Sequence, residues 1–62
     1  MKFQIKKRFT GEIIVEGEAE SFVQFVEQNK ANLSGANLSG ANLYEANLFK
    51  ANLYKANLFK AN

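Results

Sequence analysis

Few residues in this 62-residue chain are equipped for chemistry. There is no Cys and no His, which removes thiol nucleophiles, disulfides, imidazole bases and nearly every transition-metal site. The carboxylate side chains are Glu12, Glu16, Glu18, Glu20, Glu27 and Glu45; they form no recognisable general acid–base pair, and no glycine-rich phosphate loop accompanies them. The expectation is therefore no catalytic residue, cofactor, metal or small-molecule substrate, and a protein that is not an enzyme. What does recur is Asn at every fifth position from Asn32 to Asn62. Such a series can support turns, hold a cation or line a polar groove. Turn support is preferred, because Asn habitually bonds to nearby backbone and a carboxylate-free ring holds Ca²⁺ poorly.

The other candidate series interleaves aromatics and cations: Tyr44, Phe49, Tyr54 and Phe59, with Lys50, Lys55, Lys60 and Glu45 beside them. This pattern suits phosphate contact with base stacking. The net charge of +2 argues only weakly for an anionic partner. In the first thirty residues Lys2, Lys6, Lys7, Arg8 and Lys30 balance Glu12, Glu16, Glu18, Glu20 and Glu27. The run Lys6-Lys7-Arg8 is read as a solvated hairpin face with glutamates across from it, without a functional role.

Behind both series lies one repeat. From Ala31 the chain reads ANLSG, ANLSG, ANLYE, ANLFK, ANLYK, ANLFK and a last Ala61-Asn62. In a single α-helix, residues five apart are rotated by roughly 140°, which scatters the leucines around the axis. In a single strand, the odd spacing sends successive leucines to opposite faces. Only a chain that bends once per pentad aims each Leu, with the Ala two positions before it, at a shared axis. The expectation is a solenoid with five-residue sides, its core Leu33, Leu38, Leu43, Leu48, Leu53 and Leu58 with Ala36, Ala41, Ala46, Ala51 and Ala56.

These pentads resemble the pentapeptide-repeat family, whose consensus is A(D/N)LXX, and all six full pentads fit it. The resemblance covers half of the chain. It implies a mainly β fold, a right-handed quadrilateral β-helix with four pentads per turn. Residues twenty apart would then stack: Leu33 on Leu53, Leu38 on Leu58, and Asn37 on Asn57. Family members that mimic duplex DNA and inhibit DNA gyrase are longer and acidic outside, a pattern this basic chain lacks.

Residues 1–30 read as a cap on the repeats of residues 31–62. Lys2 to Glu18 forms a β-hairpin through a three-residue loop, Phe9-Thr10-Gly11, with Gly11 left-handed. That loop pairs Phe3 with Gly17, Ile5 with Val15 and Lys7 with Ile13 on one face, and Lys2 with Glu18, Gln4 with Glu16 and Arg8 with Glu12 on the other. Ser21 to Asn29 has the apolar spacing of a short amphipathic helix, with Ser21 and Gln24 as a capping box and Asn29 left-handed at its end. Its Phe22, Val23, Phe25 and Val26 need a surface, and the first repeats need a lid.

The opening residues hold no continuous apolar run, so neither a secretory signal nor a membrane span is read there, and a cytoplasmic protein is expected. The last pentad is as regular as the first, so nothing in the sequence covers that end. With Tyr44, Phe49, Tyr54 and Phe59 as an outward belt and Leu53 and Leu58 at the open end, the expected partner is the chain itself. The forms considered are a homodimer and a filament. The alternative is a small binding module for nucleic acid or another anionic partner, using the Lys and aromatic outer face.

Overall fold

A computed structural model describes all of residues 1–62. Strand β1 (Lys2–Lys6) pairs antiparallel with β2 (Ile13–Glu18), helix α1 (Phe22–Gln28) follows, and a 3₁₀ turn (Lys30–Asn32) leads into the repeats.

The hairpin keeps the expected register from Lys2↔Glu18 to Ile5↔Val15 and then departs from it. A bulge between Ile5 and Lys6 brings Lys6 opposite Ile13. The loop is closed by Lys7 N–H donating to the Glu12 carbonyl at 2.7 Å, with Gly11 left-handed at φ 80°. The pairings of Lys7 with Ile13 and of Arg8 with Glu12 are thereby corrected. One inserted residue reverses which side chains face inward, so Ile13 is exposed while Ile14 packs against the core. The displaced end of β1 turns to the repeats instead, where Lys7 bridges Ala36.

Helix α1 begins as its sequence directs: Ser21 Oγ accepts from the Gln24 N–H at 3.1 Å. Its end differs. Asn29 has φ −114° rather than a left-handed conformation, because the chain runs on into the 3₁₀ turn, and its side-chain Nδ2 donates to the Phe25 carbonyl at 2.8 Å. Phe22, Phe25 and Val26 occupy one helix face at i, i+3 and i+4 and pack into the core. Phe3, Phe22 and Phe25 form a ring cluster with centroids 5.6 to 6.4 Å apart. Val23, one position round the helix, is only half-buried and stands outside this packing.

In the repeats the chain returns alongside itself every twenty residues. Asn37 and Asn57 form a parallel bridge, and Leu38 N–H donates to the Asn57 carbonyl while Asn57 N–H donates to that of Ala36, at 2.9 and 2.8 Å. Asn42 and Asn62 lie in the same relation through Leu43 N–H to the Asn62 carbonyl and Asn62 N–H to that of Ala41. Within each pentad the bend is closed by the N–H of the next Ala donating to the Leu carbonyl three residues back, from Ala36 on Leu33 to Ala61 on Leu58. The fifth residue of every pentad is left-handed: Gly35, Gly40, Glu45, Lys50, Lys55 and Lys60, with φ from 58° to 73°.

A single hydrophobic core joins the two parts: Ile5, Phe25 and Val26 from the first thirty residues with Leu33, Ala36, Leu38 and Leu43. Leucine burial falls with distance from the cap. Leu33, Leu38 and Leu43 are 0, 2 and 9% exposed, Leu48 and Leu53 are half-buried, and Leu58 is 43% exposed. Leu58 is thus corrected from core to surface. Ala41, Ala46 and Ala56 pack against the core, whereas Ala51 is half-buried outside it. No helix is long and apolar enough to cross a membrane.

Candidate interaction surfaces

The asparagine series supports turns. Asn37, Asn42, Asn47, Asn52 and Asn57 each accept on Oδ1 from the N–H two residues ahead, at 3.0 to 3.2 Å. The backbone N–H groups of all of these but Asn42, and of Asn62, also find acceptors outside their own pentads. Asn57 and Asn62 reach Ala36 and Ala41, while Asn37, Asn52 and Asn47 reach the Lys6 carbonyl, the Lys30 carbonyl and the Glu27 carboxylate. Strand and helix thus supply acceptors to Asn37 and Asn47 of the first layer, where no earlier layer exists, while the 3₁₀ turn serves Asn52 of the second. Sequence reasoning saw the helix as the lid but missed these polar contacts, which arise from residues unrelated to the repeat.

On the side away from the cap the ladder is unmade. The N–H groups of Leu48, Leu53 and Leu58 and the carbonyls of Ala46, Ala51 and Ala56 have no protein partner. In the layer above, the corresponding groups of Leu38 and Ala36 are bonded. Exposed Leu58 adjoins this edge.

The outward aromatics sit as the pentad spacing requires, one per pentad, with Tyr44, Phe49, Tyr54 and Phe59 67 to 73% exposed. In three pentads the following Lys folds back, placing Nζ 5.5 to 5.6 Å from the ring centroid of Phe49, Tyr54 or Phe59. In the first two pentads Ser replaces the aromatic, and Ser34 and Ser39 donate Oγ to the carbonyls of Tyr54 and Phe59, twenty residues on, at 3.3 and 3.2 Å. The small residue therefore ties two layers together, a role that Tyr or Phe cannot fill from that position.

Arg8 is the residue whose place the sequence reading missed. Its N–H donates to the Gly35 carbonyl at 2.8 Å and its Nη1 to the Lys55 carbonyl at 3.2 Å. The glutamate assigned to it, Glu12, pairs with Lys7 instead, at 3.5 Å. No pocket is formed anywhere on the molecule, and no group of three or more acidic, His or Cys side chains gathers in a metal-binding arrangement.

No curated protein and no solved structure matches the chain. A family model does, that of pentapeptide repeats (8 copies), over residues 29–62, which takes in every pentad and the turn that leads into them. Repeated Leu burial, asparagine-supported bends and the return of the chain to itself every twenty residues are what such repeats require. With more than half of its length under that match, the chain belongs to the pentapeptide-repeat family, and its repeats have a fold of the β-helix type.

Proposed function

We propose that the protein is a structural, self-associating module: a capped start of a right-handed quadrilateral β-helix whose uncapped edge pairs with a second copy. Four pentads per circuit is the arrangement consistent with ladder bonds between residues twenty apart. Proteins built of this repeat are generally not enzymes, and the absence of a pocket offers no support for a catalytic reading.

The observation that carries the proposal is the coincidence, on one edge, of exposed Leu58 and the unpaired ladder groups of Leu48, Leu53 and Leu58. Apolar surface and unpaired backbone together are what a β edge presents to another chain. A two-fold axis across that edge pairs the strands antiparallel and leaves both caps pointing outward. The cap meets two sides of the first layer, through Lys6 at Asn37 and Glu27 at Asn47, so head-to-tail growth into a filament is disfavoured.

Particle mass measured across a concentration series tests this. A dimer that Leu58→Glu converts to monomer, with Phe59→Ser unaffected, is the expected result. A monomer at every concentration overturns self-association. A dimer broken by Phe59→Ser but not by Leu58→Glu transfers the contact from the edge to the aromatic row.

A further inference from the structure

The net charge of +2 conceals a strongly uneven surface. The side of the repeats that carries Ala36–Gly40 over Ala56–Lys60 has the end of β1 as a third row, since Lys7 bridges Ala36, Arg8 N–H bonds Gly35 and Asn37 N–H bonds the Lys6 carbonyl. Ala36 points into the core. Lys6 and Arg8, flanking Lys7, are both exposed. The lower row is bounded by the left-handed corners Lys55 and Lys60. Four cations therefore stand on one side, and none has a carboxylate within ion-pair distance. The molecule's two ion pairs are Lys7–Glu12 and the Met1 amine with Glu18.

Aromatic rings lie among these cations. Phe59 is in the lower row, and Phe9, 78% exposed, lies under the Arg8 guanidinium at 4.6 Å. The Lys55 carbonyl anchors Arg8 through one donor, and a guanidinium has five, so the others remain for a phosphate. We infer that this side binds single-stranded nucleic acid, with Lys6, Arg8, Lys55 and Lys60 along the phosphates and Phe9 and Phe59 beneath unpaired bases. A duplex keeps its bases from the rings, and an acidic peptide satisfies the charges while leaving the rings uncovered. Lys60 already rests near the face of Phe59, and its ammonium moves from ring to phosphate when a base takes that face. The lower row, Ala56–Lys60, also carries the edge groups of Ala56 and Leu58, so the two proposals are told apart by Lys6→Ala, which lies off that edge and should change the salt slope but not the particle mass, and by Leu58→Glu, which should change the mass but not the slope.

The experiment is fluorescence anisotropy of the full chain with a labelled oligothymidylate, across a salt series. With four phosphates neutralised, log K should fall against log salt with a slope of about −3, at about 0.7 per phosphate on a single strand. Lys6→Ala and Lys60→Ala should each reduce that slope by about 0.7. Phe59→Ala should weaken binding by about 5- to 150-fold while leaving the slope unchanged. Absence of salt-dependent binding overturns the inference. So does a polyglutamate peptide that competes as well as the oligonucleotide, or duplex binding that is equally tight and indifferent to Phe59→Ala.

Discussion

The Glu27 carboxylate accepts a 2.7 Å hydrogen bond from the backbone N–H of Asn47, twenty residues further along the chain. That separation is the repeat's own period, so a side chain of the helix stands where, one layer further on, a backbone carbonyl receives the asparagine N–H. Ala36 and Ala41 supply that carbonyl to Asn57 and Asn62. A helix cannot offer its own carbonyls sideways, because they are spent along its axis. A side-chain acceptor is how α1 can continue a β ladder.

Glu27→Gln, whose amide oxygen can accept the same bond, should therefore stay close to the parent in stability. Glu27→Ala should lose about 1 kcal/mol. Urea denaturation of both variants is the check, and equal losses would mean that charge rather than the hydrogen bond matters at this position.

Gly35 is left-handed at φ 72°, and a methyl group added there would meet nothing within 4 Å. Any cost of Gly35→Ala is then conformational rather than steric. The expected loss is about 1 kcal/mol, from the strain of an L-residue in that region. Gly35→Asn should lose less, since Asn visits the left-handed region more readily. The pentads with Glu45, Lys50, Lys55 and Lys60 at the same position and φ of 58 to 64° carry this strain already. Thermal melts of the two Gly35 variants decide it.

Asn57 and Asn32 occupy equivalent places in their pentads, yet only the first accepts a side-chain hydrogen bond, from the Phe59 N–H at 3.0 Å. Asn32 lies in the 3₁₀ turn and is exposed. Asn57→Ala should cost about 1 kcal/mol, or roughly 4 to 8 °C in Tm for a domain of this size. Asn32→Ala should be near neutral. Parallel melts of the two variants test whether the turn bond or the mere presence of Asn is what matters.

The local order of the molecule was legible because its determinants are local. Ser21 three residues before Gln24 specifies the start of α1, and Gly11 specifies the left-handed position of the hairpin loop. The five-residue recurrence of Leu rules out a plain helix or strand. From Asn37 on, Asn two residues before the outward residue of its pentad specifies the turn bond. Each of these interactions spans a few residues, so the sequence carries it directly.

The leucine series already determined which side chains aim inward, but not how completely each is covered. Leu33 and Leu58 are identical in sequence context at their Asn-Leu pair, and they differ in burial because one lies under Phe25 and Val26's layer while the other faces outward from the last. Likewise the bulge after Ile5, the exchange of Ile13 for Ile14, and the departure of Arg8 from Glu12 to Gly35 and Lys55 follow from docking the hairpin on a repeat layer thirty residues away in sequence. Pairing charges within the hairpin assigned Arg8 to the nearest glutamate. The tertiary structure decided otherwise because the Gly35 and Lys55 carbonyls, one in each layer, take Arg8 as their donor, and Arg8 is the residue that the bulge delivers to them.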